Sequence, residues 1–196
     1  MPNKNEEQTP LTLEKTLGHL KTITLHKLLV ARGCFAVGLV YQGLTHDLSK
    51  YAPTEFLVGA RYYQGNRSPN NAEREEKGFS QAWIHHKGRN RHHYEYWYDY
   101  ALNPAEIDQK ANPSGTVPVK MPGRYVVEMF MDRIAACKVY KGAAYTDSDP
   151  LAYFCSRHSQ EKMHPETAAL LKKLLIMLSE EGEEKTFAYI RQHLVR

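Results

Sequence analysis

Apolar residues recur at helical spacing along most of the chain, and no segment alternates strictly between apolar and polar positions. The first helical pattern contains Gly18 and Gly33, where a break would fall. Gly182 separates the last two patterns. The predicted helices cover about 11–41, 79–101, 124–141, 165–181 and 183–195. This pattern predicts an all-α fold.

The segments between these patterns predict loops. Residues 65–78 are rich in Asn, Gly and charged side chains, and residues 103–123 carry four prolines and two glycines. Residues 146–150 predict a turn, and the polar residues 1–10 predict a disordered tail. The sequence contains no internal repeat and no clear domain boundary, so residues 11–196 predict one helical domain.

The charge balance of the chain is only mildly basic. Its 196 residues include 26 basic and 22 acidic side chains, which gives a net charge of +4. Such an excess permits a small anionic substrate, whereas proteins that bind nucleic acid usually present a denser basic face. The basic segment 86–91 is followed by Glu95 and Asp99, which argues further against a nucleic-acid partner.

The sequence predicts neither a membrane span nor a secretory signal. The longest apolar stretch, 28–44, is interrupted by polar residues and is shorter than the ~20 residues that cross a bilayer. The first ten residues are polar and include acids, unlike a signal peptide. Three cysteines without CxxC spacing favour a reducing compartment. We therefore expect a cytoplasmic protein, and its aromatic content would suit a homodimer.

Candidate chemistry begins with the adjacent residues His46 and Asp47. An imidazole and a carboxylate form a good ligand pair for a divalent transition metal. On a helix their side chains would point about 100° apart and converge on an ion just off the helix. Lys50 would share their face, where a cation can steady Asp47 or bind a phosphate oxygen. The alternative is an exposed His-Asp pair beside a solvated lysine.

The predicted helix over 79–101 carries a face that is apolar at both ends and polar in its middle. Buried histidines on such a face need partners, and a metal ion would supply them. His85 and His92 lie on a neighbouring face with Arg89, which would suit contacts to an anion. Histidines exposed on an aromatic-rich helix are the alternative. The first face consists of Phe79, Trp83, His86, Asn90, His93 and Trp97.

Two single residues on other predicted helices complete the candidate set. Asp132 lies in an apolar run, and a buried carboxylate there needs a cation, which is either a metal ion or a basic side chain. His26 shares an early helix face with Val30 and Val37. A histidine in that position is either a core residue or a metal ligand.

The order of these residues resembles the HD-domain superfamily of metal-dependent phosphohydrolases, whose pattern is H…HD…D. The resemblance covers about residues 20–145. The histidines between HD and the last Asp resemble the two-metal members, including the HD-GYP group with its HDxxK motif, although no GYP motif follows here. The chain also resembles an uncharacterised bacterial and phage family of HD-like proteins, some of which are labelled catalase.

This resemblance implies an HD-type helical bundle with a closing helical pair over 165–195. It implies one or two divalent transition-metal ions, of which Mn, Fe, Co, Ni and Zn are candidates. Asp47 would bridge the two ions, and a single ion is the alternative. The single ion is an alternative because His86 and His93 are closer in sequence than the superfamily's ligands usually are. His85 and His92 remain alternatives to His86 and His93, which are preferred because they lie on the face that is apolar at both ends. The implied ligands are His26, His46, Asp47 and Asp132 for one ion, and His86 and His93 for the second.

The implied function is metal-dependent hydrolysis of a small phosphate ester, such as a nucleotide. Asp47 and Lys50 would be the catalytic residues, and Lys50, Arg67, Arg89 and His92 are candidate substrate contacts. One alternative is a mixed-valent di-iron oxygenase with the same order of ligands. A second alternative is a non-catalytic module that senses or binds a nucleotide.

Overall fold

The computed structural model describes residues 9–103, 108, 110, 112–156 and 159–195. Helices dominate this part of the chain, which confirms the all-α prediction. Residues 1–8 of the expected tail lie outside the described residues, as does part of the expected loop over 103–123. The α-helices are α1 (Leu13–Ala36), α2 (Val40–Thr45), α3 (Pro53–Arg61), α4 (Pro69–Lys77), α5 (Gln81–Lys87), α6 (Gly123–Lys141), α7 (Asp149–Ser156) and α8 (Pro165–His193).

Short elements connect these helices. Strands β1 (Tyr98–Tyr100) and β2 (Thr116–Pro118) pair in antiparallel orientation, with Asp99 opposite Val117. The sequence did not predict this pair, because strands of 3 residues are too short to show alternation. Short 3₁₀ helices cover Leu48–Tyr51, Tyr94–Tyr96, Gly142–Ala144 and Ser159–Lys162.

Helix α1 packs against α2, α3 and α6 through one buried face. Thr12 begins the helix, since its hydroxyl accepts a hydrogen bond from the Lys15 backbone N–H. The buried face consists of His19, Ile23, His26, Val30 and Cys34. Val30 and Cys34 on this face join a core that also contains Phe130, Phe154 and Leu171. The core thereby fixes the helix that carries His26.

Helix α8 is a helical pair joined at Gly182, as the sequence predicts. Gly182 has φ 79° and ψ 177°, a conformation that glycine adopts readily and that interrupts the helical path. The Thr186 hydroxyl then donates to the Gly182 carbonyl at 2.8 Å. None of the helices in the described part of the chain combines the length and the apolar character that a bilayer-spanning segment needs.

Helix α4 lies where the sequence predicted a polar loop over 65–78, so that prediction is wrong. Ser68 occupies the N-cap position, Pro69 begins the helix, and Gly78 ends it in a left-handed conformation with φ 79°. The polar composition obscured these end signals. The Glu73 carboxylate is fully buried and accepts a hydrogen bond from the Ser80 hydroxyl at 2.7 Å, which ties α4 to the start of α5.

Gly43 allows α2 to lie close against α1. A Cβ atom at this position would be 2.6 Å from the Phe35 ring and 3.2 Å from the Ala31 carbonyl oxygen. We expect Gly43→Ala to lower the free energy of unfolding by about 1–3 kcal/mol, as overpacking does, measured by urea denaturation. Gly123→Ala is the matched control, because a Cβ at Gly123 would meet no atom within 4 Å. Equal destabilisation by both substitutions would contradict this packing argument.

Candidate metal centre

His46 and Asp47 lie in the turn after α2, which corrects the expectation that they share a helix. Asp47 has φ 55° and ψ 23°, a left-handed conformation that Asp tolerates better than most residues do. The Lys27 ammonium donates to the carbonyl oxygens of Leu44 at 2.8 Å and His46 at 2.9 Å. These bonds fix the backbone at the turn, so the buried side chains of His46 and Asp47 converge.

The first group of candidate ligands surrounds one oxygen of the Asp47 carboxylate. Asp47 Oδ2 is 3.3 Å from His46 Nε2 and 3.5 Å from His26 Nε2. Asp132 Oδ1 on α6 is 3.0 Å from the same His26 nitrogen. The donor atoms of His26, His46, Asp47 and Asp132 lie within 4.8 Å of one another, and we call these residues the first group.

The second group surrounds the other oxygen of Asp47. Asp47 Oδ1 is 3.3 Å from His86 Nε2 and 3.4 Å from His92 Nε2. The His93 ring lies beside both histidines, with centroid separations of 4.8 Å to His86 and 4.1 Å to His92. We call Asp47, His86, His92 and His93 the second group. Asp47 therefore belongs to both groups and presents one oxygen to each.

The second group forms because α5 ends at Lys87, which corrects the helix predicted over 79–101. The His86 carbonyl oxygen accepts from both the backbone N–H of Asn90 at 3.1 Å and its side-chain amide at 2.8 Å, which closes the last turn of the helix. The chain then continues through turns to the 3₁₀ helix at Tyr94–Tyr96. In a continuous helix, His86 and His92 would be separated by about 9 Å along the axis, at 1.5 Å per residue.

All of the predicted metal ligands lie in these two groups, and one further histidine joins them. His92, for which the sequence predicted a substrate contact, directs Nε2 toward Asp47 as His86 does. His85, the other alternative, is a member of neither group among the described residues. Its Nδ1 is instead 2.6 Å from Glu55 Oε1. The geometry therefore favours His86, His92 and His93 as the donors of the second group.

Glu128 is a buried carboxylate that the sequence analysis did not assign to the site. Its Oε1 accepts hydrogen bonds from His46 Nδ1 at 2.9 Å and His92 Nδ1 at 3.1 Å. A carboxylate on Nδ1 leaves Nε2 as the free ligand atom and fixes the orientation of the ring. Since His46 and His92 belong to different groups, Glu128 orients one ligand in each. Its position one helical turn before Asp132 was a signal that it shares that buried face.

Glu55 on α3 has the same role for the second group alone. Its Oε2 is 2.8 Å from His86 Nδ1, while its Oε1 contacts His85. The pKa of Glu55 is lowered, because its hydrogen bonds to His86 and His85 outweigh the effect of burial. Glu55 therefore stays ionised and directs His86 Nε2 toward Asp47. No motif around Glu55 indicated this role, which depends on how α3 packs against α5.

Four histidines of the site differ in charge. Burial by itself lowers the pKa of His46 and of His86, but the carboxylates beside each ring, with Asp47 the strongest, together outweigh burial and raise both values. Burial lowers the pKa of His92, and it holds that of His93 well below its usual value. His92 and His93 are therefore neutral at neutral pH, as metal ligation requires.

We expect the affinity for metal to increase with pH. A raised pKa means that His46 and His86 retain protons in the metal-free protein, and an ion must displace these protons to reach Nε2. Each displaced proton should raise the affinity for Zn²⁺ about tenfold per pH unit below the pKa of the group. Calorimetric titration in buffers of different ionisation enthalpy will count the protons. A pH-independent affinity would contradict the expected competition.

Several buried donor atoms in the two groups lack a hydrogen bond. Among the described residues, Oδ1 of Asp47 makes none, nor does Nε2 of His92 or His93, whereas Oδ2 of Asp47 is paired with the Lys50 ammonium at 2.6 Å. A buried polar atom without a partner costs roughly 1–3 kcal/mol, so such clusters normally face a ligand. Imidazole and carboxylate donors suit Mn, Fe, Co, Ni and Zn. The donor set therefore fits one divalent transition-metal ion on each side of Asp47.

Lys50 and Asp132 mark the side on which solvent reaches the site. Their side chains are 29% and 19% exposed, whereas that of Asp47 is 2% exposed. Lys50 Nζ lies 2.6 Å from Asp47 Oδ2. Burial alone would lower the pKa of Lys50, but the Asp47 and Asp132 carboxylates outweigh it and keep the ammonium charged. The site is therefore open to solvent on the side of Asp132 and Lys50.

The structure does not bring the two predicted arginine contacts together with Asp47. Arg67 lies at the surface and uses both terminal nitrogens on the Glu75 carboxylate, at 2.7 Å and 2.6 Å. Arg89 is exposed after α5, where its guanidinium contacts the His85 carbonyl oxygen at 3.4 Å. Of the predicted substrate contacts, Lys50 is therefore the residue best placed at the opening of the site.

Comparison with known proteins gives a family but no activity. Residues 15–177 match the model of a family described as "Family of unknown function (DUF5662)", which covers most of the chain. No curated protein and no solved structure matches. The resemblance to the HD-domain superfamily stays a prediction, because the matched family is not described in those terms.

Proposed function

Because the chain belongs to DUF5662, a family of unknown function, we propose its function from its own site. We infer that it is a hydrolase of small phosphate esters that uses divalent transition-metal ions held by the two groups. The observation that carries this proposal is the shared Asp47 carboxylate, whose two oxygens face different sets of histidines. The resemblance of the H…HD…D pattern to metal-dependent phosphohydrolases supports the same reaction class.

The side chains of the site have distinct roles in this proposal. His26, His46 and Asp132 would hold one ion, His86, His92 and His93 would hold the other, and Asp47 offers one carboxylate oxygen to each group. Divalent ions so placed supply a water with a pKa of about 7 and a positive clamp for phosphoryl oxygens. Glu128 and Glu55 hold the rings in the ligand orientation.

Lys50 acts on the substrate rather than on the metals. Its charged ammonium lies at the exposed edge, where it can donate hydrogen bonds to a phosphate oxygen or to the leaving oxygen. A small ester fits this arrangement better than a nucleic acid does, because a net charge of +4 is low for a chain that binds a polyanion.

Lys50→Met is expected to lower kcat by about 10²–10³-fold, because it removes one charged donor at the transition state. Bound metal should remain near the wild-type level, since Lys50 is not a ligand. Lys50→Arg, which keeps the charge, should retain more activity than Lys50→Met. Steady-state kinetics and elemental mass spectrometry on the same samples measure both effects. Loss of metal together with activity in Lys50→Met would contradict this role.

Phosphate release from a panel of phosphomonoesters and nucleotides tests the proposed reaction. The metal-free protein is reconstituted separately with Mn²⁺, Co²⁺, Ni²⁺, Zn²⁺ or Fe²⁺, beside His46→Ala under each condition. We expect turnover of at least one ester by the wild type and none by the variant. Iron-dependent oxygen consumption without phosphate release would overturn the hydrolase in favour of an oxygenase. Binding of a nucleotide without turnover under any metal would favour a sensing module.

A further inference from the structure

Arg133 on α6 is a partly buried cation that belongs to neither group of candidate ligands. Its Nε atom is buried without a hydrogen bond, and no carboxylate in the described part of the chain forms an ion pair with its guanidinium. The guanidinium carbon lies 5.9 Å from the centre of the Tyr153 ring and 5.5 Å from that of Phe154, both on α7. Ring faces attract a cation, but they do not replace oxygen acceptors for its five N–H groups.

The charge of Arg133 persists in this environment although the environment opposes it. Burial lowers the pKa of Arg133, and the carboxylates of Asp132 and Glu95 oppose that effect without bonding to the guanidinium. An arginine side chain nevertheless stays protonated in proteins. A cation that has lost water and gained no hydrogen-bonded partner destabilises the fold, so such a group typically serves a ligand that brings the missing acceptors. The ligand that suits a guanidinium is an anion.

Glu95, in the 3₁₀ helix Tyr94–Tyr96, does not neutralise Arg133. Its Oε2 atom is buried and likewise makes no hydrogen bond within the described chain. The two side chains lie within electrostatic reach of each other but form no ion pair. An anion bound to Arg133 is therefore not displaced by an existing internal partner.

Arg133 lies beside the opening of the candidate metal centre, because it directly follows Asp132 on α6. Both Arg133 and Lys50 are within electrostatic reach of the Asp132 carboxylate. Tyr140 and Tyr153 are 37% and 48% exposed, so the surface around these cations is open to solvent. Tyr153 contacts Arg133, and Tyr140 is within electrostatic reach of Lys50 and of Tyr153. Arg133 and Lys50 therefore belong to the same region of the surface.

We propose that Arg133 binds a second anionic group of the substrate, a phosphate or a carboxylate, next to the phosphate that is cleaved. The proposal rests on the hydrolase proposed above and narrows its substrates to esters that carry two anionic groups. The planar fork of an arginine can donate to two oxygens of either group. Asp132 is a candidate metal ligand, so in the metal-loaded protein its charge would be shared with an ion and would compensate Arg133 less.

Calorimetric titration with phosphonates tests the proposal without turnover, because the P–C bond is not a phosphate ester. Ethylphosphonate carries one anionic group, whereas bisphosphonates and phosphonocarboxylates of increasing chain length carry two. The protein is titrated as purified and after addition of Zn²⁺. We expect at least one probe with two anionic groups to bind the wild type about tenfold more tightly than ethylphosphonate does. Tighter binding of bisphosphonates alone assigns a second phosphate, and tighter binding of phosphonocarboxylates alone assigns a carboxylate.

Substitution of Arg133 should remove this preference. Arg133→Met is expected to weaken the best probe with two anionic groups about tenfold and to change the affinity for ethylphosphonate by less than about threefold. Arg124→Met is the matched control, because Arg124 is an exposed arginine at the start of the same helix, and it should keep the wild-type preference. Bound metal should stay at the wild-type level in both variants, since neither arginine is a candidate ligand. Arg133→Gln replaces Arg133→Met if circular dichroism shows that the latter does not fold.

Two outcomes would overturn the proposed role of Arg133. The first is equal affinity of the wild type for probes with one and with two anionic groups. The second is a preference that persists in a folded Arg133 variant. Either result would leave the hydrolase standing if the wild type releases phosphate from esters with one anionic group. Conversely, a preference that depends on Arg133 in a protein that releases no phosphate would overturn the hydrolase and leave the anion site in place.

Discussion

Asp47→Asn is expected to lower the bound metal from about two ions to less than one per chain and to abolish hydrolysis. The substitution leaves the size of the side chain nearly unchanged but removes the charge that faces both groups. Asn also tolerates the left-handed backbone conformation at this position, so the turn itself should persist. Elemental mass spectrometry after gel filtration measures the bound metal.

Two comparisons make the Asp47 result specific. Asp132→Asn removes a ligand of the first group only, so it should lose about one ion and retain the other. Asp99→Asn changes an exposed aspartate on β1 and should retain both ions. If Asp47→Asn lost a single ion while Asp132→Asn lost both, the bridge would have to be Asp132 rather than Asp47.

Glu128→Ala is expected to weaken the binding of both ions by about 10–100-fold each, the usual effect of losing the partner of a ligating histidine. The substitution leaves Nδ1 of His46 and of His92 without its acceptor, although Glu128 itself touches neither ion in this proposal. Glu128→Gln keeps an acceptor oxygen without the charge and should show a smaller loss. Competition titrations with a chromophoric chelator measure both affinities.

Glu55→Ala provides the contrast, because Glu55 orients a ligand of the second group alone. The substitution should weaken the binding of one ion by a similar factor and leave the affinity for the other ion near its wild-type value. Circular dichroism of each variant establishes that the fold is retained. If Glu55→Ala weakened the binding of both ions as strongly as Glu128→Ala does, the loss of affinity would reflect general disruption of the site rather than the orientation of particular histidine rings.

Long periodic segments of the chain were predictable from the sequence, and their ends were much less so. Helices α1 and α6 are long and bury residues at helical spacing, and Gly182 divides the last helix where it was expected to do so. Helix α4 was missed because its end signals, Ser68 with Pro69 and then Gly78, stand in a segment of polar composition. Helix α7 was missed because it is short and begins inside the segment 146–150, for which a turn was predicted.

For single residues of the site, the sequence likewise identified candidate ligands but not the local backbone that positions them. The adjacent His46 and Asp47 were predicted to be a ligand pair on a helix. They lie in a turn instead, and this turn depends on hydrogen bonds from the Lys27 side chain, which lies on another helix. His92 was assigned to a helix face on the assumption that the helix continues through Gly88 and Asn90, but α5 ends at Lys87 and turns follow it.

The two orienting glutamates could not be assigned from sequence for a different reason. Glutamate is usually exposed, so the sequence gives no sign that Glu55 is buried, and for Glu128 the signal is limited to its position one helical turn before Asp132. Their role follows from their distances to the Nδ1 atoms of histidines on other elements. Such pairings are tertiary contacts, and neither composition nor periodicity encodes them.

Anomalous diffraction from crystals grown with Mn²⁺ or Zn²⁺ tests the dinuclear site most directly. We predict two anomalous peaks, one among His26, His46 and Asp132 and the other among His86, His92 and His93. The Asp47 carboxylate should lie between them with one oxygen toward each peak. A single peak would reduce the site to one ion, and the absence of any peak beside Asp47 in metal-saturated crystals would contradict the proposed metal centre.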